Sequence, residues 1–127
     1  MAAILLGEPA VTAGESLLER LRLTGICVPR SAEVRDYVRQ YPDIINVVHR
    51  ACDAAAAEFA GNAALSLELY VDPEIDDPHL MLYVRPEPFD PSVWESIERV
   101  RDLYADELAD QTGWLHVGVD FRAPERR

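Results

Sequence analysis

Between Ala64 and Phe121 the order of apolar and polar residues passes from period two to a helical period and back, and these periods mark the elements. In Leu65-Ser66-Leu67-Glu68-Leu69-Tyr70-Val71 every second residue is aliphatic, the repeat of a strand with one face against a core. Leu80-Met81-Leu82-Tyr83-Val84-Arg85 repeats it, with Leu80, Leu82 and Val84 inward. The Asp- and Pro-rich run from Asp72 to His79 suits neither strand and predicts a hairpin loop, which makes the two strands antiparallel. After Pro86 and Pro88 the spacing lengthens. Val93, Ile97, Val100, Tyr104 and Leu108 recur three and four apart, the apolar stripe of a helix. Its start is signalled by Asp90-Pro91 as N-cap and first turn, and again by Ser92 with Glu95. Asp90 is preferred, because Phe89 and Trp94 then stand at the positions of a hydrophobic staple. The helix is expected to run to about Asp110 and to stop at Gly113. Trp114 to Phe121 returns to period two, with Leu115, Val117, Val119 and Phe121 on the core side.

Upstream the pattern is helical. Thr12-Ala13-Gly14-Glu15 reads as a capping box before a two-turn helix from Ser16 to Leu23, closed by Thr24-Gly25, and Ile26 to Pro29 reads as an extended connector. Ser31 is expected to cap a second helix whose apolar side is Val34, Tyr37, Val38 and Tyr41. Pro42-Asp43 then opens a third. Its buried face runs through Ile44, Ile45, Val48, Cys52, Ala55, Ala56 and Phe59 to a stop at Gly61, with Asn46, His49, Arg50 and Asp53 on the polar side. His49 and Asp53 lie four apart, the spacing of an exposed i,i+4 pair.

These elements predict an α+β fold: N-terminal helices followed by ββαβ, with a three-stranded mixed sheet and the helices packed on one face, the only face that is uniformly aliphatic. Strand orders 2-1-3 and 1-2-3 both fit. The N-terminal short helix and connector take residues 1–30 and the α+β domain residues 31–127, together one compact domain. A chain of 127 residues can bury roughly two-thirds of its unfolded surface without staples.

Composition narrows the function classes. The net charge is −11 and all 12 basic residues are arginine. Such a surface repels phosphate backbones, and no arginine run with interleaved aromatics offsets it, so nucleic acid is not an expected partner. Met1 to Leu6 is apolar but short and lacks a basic n-region, and no window reaches a membrane span of ~18 apolar residues. The expected location is the cytoplasm, away from membranes. Cys27 and Cys52 form neither a CxxC nor a metal-ligand spacing, and Cys52 reads as a small core residue.

Two constellations carry candidate chemistry. Asp72, Asp76, Asp77 and His79 supply oxygens for a hard cation. The segment has no turn glycine and no closing glutamate of an EF-hand, however, so no metal or other cofactor is expected and the acidic hairpin remains only an alternative metal site, for a small metal-dependent enzyme or sensor. The second constellation is the sheet face opposite the aliphatic one: Ser66, Glu68 and Tyr70, then Met81, Tyr83 and Arg85, then Trp114, His116 and Asp120. Tyr, Trp, Met and Arg together are the composition of a protein interface. Cover for the N-terminal helices and a ligand cleft are the other readings. No nucleophile paired with a base, phosphate loop or HExxH set is present, so no catalytic residue is assigned.

Tyr41-Pro42-Asp43, Leu67-Glu68-Leu69-Tyr70, Asp72-Pro73-Glu74-Ile75-Asp76-Asp77, Leu82-Tyr83-Val84-Arg85 and Gly113-Trp114-Leu115 with Asp120-Phe121 resemble a family of small acidic prokaryotic α+β proteins of uncharacterised activity, over roughly residues 31–121. Some of these are encoded beside a second small gene in an antitoxin-like arrangement. The resemblance implies no catalytic residues. The outer face points to a non-enzymatic interaction module, and the resemblance adds the reading of that module as the acidic partner of a basic protein in a two-gene pair. Similar chains carry threonines where this one has Gly118-Val119. The outer face also implies a partner nearer to hand, a second copy in a homodimer.

Overall fold

The computed structural model of the chain describes residues 10–59 and 61–120; Met1 to Leu6 and the expected core residue Phe121 lie outside the described residues. Helices α1 (Ala10–Leu23), α2 (Ser31–Gln40) and α3 (Ile45–Phe59), the last preceded by a 3-10 turn (Pro42–Ile44), come first. Strands β1 (Ala63–Asp72) and β2 (Ile75–Pro86), helix α4 (Val93–Leu108) and strand β3 (Leu115–Val119) follow. The fold is α+β, with a three-stranded mixed sheet in the order β1-β2-β3. β1 and β2 are antiparallel, with Leu67 opposite Leu82, and β2 and β3 are parallel, with Leu82 opposite Val117. Among the described residues no helix is long and apolar enough to cross a membrane.

One core joins all of this. Leu67, Leu82 and Val117, side by side across the three strands, are each 0% exposed, and the α4 stripe of Val93, Ile97, Val100, Tyr104 and Leu108 is buried in the same cluster. α3 contributes Val47, Val48, Ala51, Cys52, Ala55 and Phe59. Val47 and Ala51 widen the expected stripe, because α3 packs against both α4 and α1 and so has two buried flanks. Burial pushes the Cys52 thiol far above its ordinary range, which leaves it inert as a nucleophile.

The helix ends differ from the local signals. α1 is not a two-turn helix from Ser16: it begins by Ala10, so the Thr12 to Glu15 segment lies inside it. Gly14 is there for contact, since a Cβ at that position would lie 3.3 Å from Val38 Cγ2 where α1 crosses α2. Ser31 is the first residue of α2 rather than its cap; Arg30 takes the cap position and no side chain bonds there. Asp90 lies two residues before the cap position, which is Ser92: its Oδ1 accepts the Ser92 N–H at 2.9 Å in the turn leading into α4, and Ser92 itself makes no side-chain capping bond. That bond also holds the Asp90 carboxyl below its usual range. α4 ends at Leu108, and Gly113 is no helix stop. Its Cβ would lie 3.0 Å from Tyr41 Cβ and 3.2 Å from Ile44 Cβ, so a residue without a side chain lets the chain pass α2 and the 3-10 turn on its way into β3.

The expected loop from Asp72 to His79 is mostly strand. Ile75 pairs with Asp72, leaving only Pro73 and Glu74 to turn, and Asp72 Oδ1 accepts the Glu74 N–H at 2.9 Å. Proline is tolerated because the register shifts there: between the pairs Tyr70–His79 and Asp72–Ile75, β1 has one residue and β2 has three, so Pro78 sits in a bulge without a ladder position to fill. The same irregularity leaves Val71, expected inward, 58% exposed.

Candidate interaction face

The outer face of the sheet is laid out by register. Tyr70 stands opposite His79, Glu68 opposite Met81, Ser66 opposite Tyr83, and Met81 and Tyr83 are followed on β3 by His116 and Gly118. Trp114, just before β3, is joined to β2 through its carbonyl, which accepts the Leu80 N–H at 3.0 Å. α1 packs on α2 and α3 rather than across this face, so the described part of the N-terminal helix does not cover it. The β1 edge is partly occupied instead by the connector: Cys27 N–H donates to the Leu65 carbonyl at 3.0 Å, and Leu67 N–H donates to the Cys27 carbonyl at 2.9 Å.

The face has two chemically different ends. At the hairpin end the rings of Tyr70 and His79 lie 5.3 Å apart, and Tyr70 and Trp114 are exposed at 41% and 51%. At the other end Arg85 reaches both ways. Its Nη2 is 2.7 Å from Asp120 Oδ2 and 3.5 Å from Glu68 Oε2, its Nε donates to Asp120 at 3.0 Å, and Ser66 Oγ donates to Glu68 at 2.8 Å. Arg85 also lies 5.8 Å from the Tyr83 ring centre. The acid, base and acid of the sequence pattern thus pair within one chain, one guanidinium between two carboxylates, which leaves the cluster a single negative charge. The side chains of Arg85 and Asp120 are only 11% and 6% exposed, so the cluster is a cross-strand clasp rather than a set of charges offered to a partner.

In the middle, Gly118 leaves room that its neighbours use: a Cβ there would lie 2.7 Å from Met81 Cε and 3.7 Å from the His116 ring. His116 meets a residue the sequence pattern did not single out. Arg101 reaches round β3 from α4, placing Nη2 3.0 Å from His116 Nε2 and 2.6 Å from the Val117 carbonyl. Burial, then the Arg101 charge, then His79, lowers the His116 pKa below that of a free histidine. Position 101 directly follows stripe residue Val100, which marks it as a flank position, but no spacing rule says which strand edge a flank touches.

Two other expectations meet different geometry. Asp53 pairs with Arg20 of α1 rather than with His49, whose Nδ1 is buried without a partner and whose pKa is lowered, chiefly by burial. The acidic hairpin does not converge. Asp72 is used by the turn, His79 Nδ1 lies 3.4 Å from the Asp77 carbonyl, and among the described residues no three His, Cys, Asp or Glu are placed to hold a metal ion.

Some of the quoted sequence segments meet in space for plain reasons. Asp43 accepts the Thr112 N–H and hydroxyl, both at 2.9 Å, and the Tyr37 hydroxyl accepts the Trp114 N–H at 2.9 Å. With Gly113 against Tyr41, these bonds fix where β3 begins and so where Trp114 stands. Comparison with protein families, curated proteins and solved structures finds no match to this chain.

Proposed function

We propose that this chain is a non-enzymatic protein–protein interaction module working through the outer sheet face, and that the occupant of that face is a second copy of the chain. The observation that carries this reading is the combination of exposed Tyr70 and Trp114 with Met81 and Tyr83 on a face whose charged residues are already satisfied internally. A partner there needs shape and apolar surface rather than counter-charge, which an identical acidic copy can supply. Strand spacing and rise give the face an area of roughly 300 Å², well below the ~800 Å² per partner of a standard interface, so the dimer is weak and concentration-dependent.

Sedimentation equilibrium up to several hundred micromolar tests this. Wild type should associate, Tyr83→Asp and Trp114→Asp should be folded monomers, and Glu98→Arg on the helical side should behave as wild type. A wild-type chain that stays monomeric across that range sinks the proposal.

One observation favours a second partner on the opposite side, a basic protein as in an antitoxin-like pair. A groove of about 510 Å³ between α2 and the hairpin is lined by Glu33, Asp36, Asp76 and Asp77 together with Tyr37 and Tyr41, and among the described residues no cationic side chain lines it. Co-purification from source cells of a basic protein that Asp36→Arg with Asp77→Arg abolishes would establish this reading; no basic protein in that fraction would remove it.

A further inference from the structure

The reading of the outer face as a docking surface leaves open what controls it, and the contact between Arg101 and His116 addresses that question. A guanidinium only donates hydrogen bonds and keeps its charge at any pH of interest. With Arg101 Nη2 3.0 Å from His116 Nε2, that nitrogen is the acceptor, so His116 is neutral with its proton on Nδ1. Arg101 has little freedom to retreat. Its Nη2 also holds the carbonyl of Val117, a residue 0% exposed, and its Nε is buried without a partner. It is also the one described arginine with no carboxylate at ion-pairing distance, in a chain that carries 23 acidic residues.

The groups facing His116 are cationic or committed elsewhere. Arg101 approaches from α4 and His79 contributes from β2, both opposing a charge on the ring. The acid of the same cross-strand row, Glu68 on β1, is turned to Ser66 and Arg85. A proton on His116 therefore places a second cation against Arg101 in the middle of the face, beside the Met81 methyl and, among the described residues, with no carboxylate bonded to either.

We infer that the outer face docks a second copy only while His116 is neutral, and that Arg101 is the positioning residue that keeps it neutral, so that acid separates the dimer. This rests on the docking reading above and adds its regulation. The direction is diagnostic. Acid lowers the net negative charge, and repulsion between two acidic copies would by itself make association stronger as pH falls. Where each protomer must release one proton to dock, the dissociation constant instead rises about tenfold per pH unit per protomer below the His116 pKa, about a hundredfold for the pair.

The test is sedimentation of the full chain at pH 7.5 and pH 5.0, with His116→Gln and Arg101→Met alongside, and an NMR titration of His116 in the monomeric Tyr83→Asp background. Wild type should dissociate at the lower pH, His116→Gln should dimerise at pH 5.0 at least as tightly as at pH 7.5, and Arg101→Met should move the transition toward pH 6.5. His116 should titrate below a free histidine in the monomer and rise on Arg101→Met, a readout that needs no dimer. A dimer of unchanged affinity between the two pH values overturns this inference and leaves the docking reading standing. A chain monomeric at both overturns the two together, and a His116→Gln dimer with the full wild-type pH dependence removes the role of His116.

Discussion

Leu82→Ala tests the face assignment on which the site depends. Leu82 is 0% exposed on the central strand, opposite Leu67 on one side and Val117 on the other, both also 0% exposed. A Leu→Ala change in a core costs roughly 2–5 kcal/mol, the spread reflecting how far the surroundings collapse. Here collapse is poor, because both neighbouring strands are held by ladder bonds and cannot close on the hole. About 4 kcal/mol is expected. Leu69, on the same face but only partly buried near the hairpin, can be partly refilled by solvent, and Leu69→Ala should cost about 1–2 kcal/mol. Urea unfolding followed by tryptophan fluorescence reads both: with a slope of about 1.5 kcal/mol per molar, the Leu82→Ala midpoint should fall by roughly 2.5 M. A Leu82→Ala shift no larger than that of Leu69→Ala would refute the reasoning.

Two further outcomes follow from the same geometry. Gly113→Ala should destabilise by about 1–3 kcal/mol, because the Cβ atoms of Tyr41 and Ile44 that it meets are fixed to their backbones, while Gly118→Ala should cost little, because the Met81 methyl it meets ends a flexible side chain; thermal unfolding of the pair separates them. Stability should be greatest above pH 6.5 and decline as pH falls, since the folded pKa values of His49 and His116 both lie below the unfolded value and the unfolded chain takes up protons first. Urea midpoints from pH 7.5 to 5.0 measure this, and either histidine→Gln variant should flatten the profile.

How much was legible follows from which interactions leave a trace in residue order. The α4 stripe and the three alternating strands were readable because burying one face of a regular element forces a period, and every stripe residue from Val93 to Leu108 is buried as that period requires. The hairpin tip was not. Asp72 capping its own turn and a bulge absorbing Pro78 turn an apparent loop into strand, and both depend on register. Gly113 looked like a helix stop because glycine serves both close approach and positive φ, and only packing distinguishes them. The membership of the outer face was legible by alternation, but the pairing of Arg85 with Glu68 and Asp120 within one chain was not: alternation says which face a charge is on, not which neighbour it reaches. Arg101 was missed for the related reason that its partners lie round the edge of β3.

That internal pairing changes what the net charge means for association. A face carrying Glu68, Arg85 and Asp120 as separate charges would need a complementary face opposite it, and an identical copy would have to meet acid with base across the interface. Because Arg85 lies between the two acids it cancels one of their charges and leaves the clasp a single negative charge, while the exposed acids along α2 and α4 lie on the helical side of the sheet. At physiological salt exposed charges are felt over only ~8 Å, so contacts local to the face dominate. Wild-type self-association should therefore vary little between 0.15 M and 0.5 M sodium chloride. Arg85→Met removes the cation, adds a unit of negative charge to each face at close range, and should weaken association at 0.15 M while added salt restores part of it. Sedimentation of both proteins at the two salt concentrations decides the matter: a wild-type dimer as salt-sensitive as the Arg85→Met dimer would mean that the surface between the copies is not this internally paired face but a more acidic one.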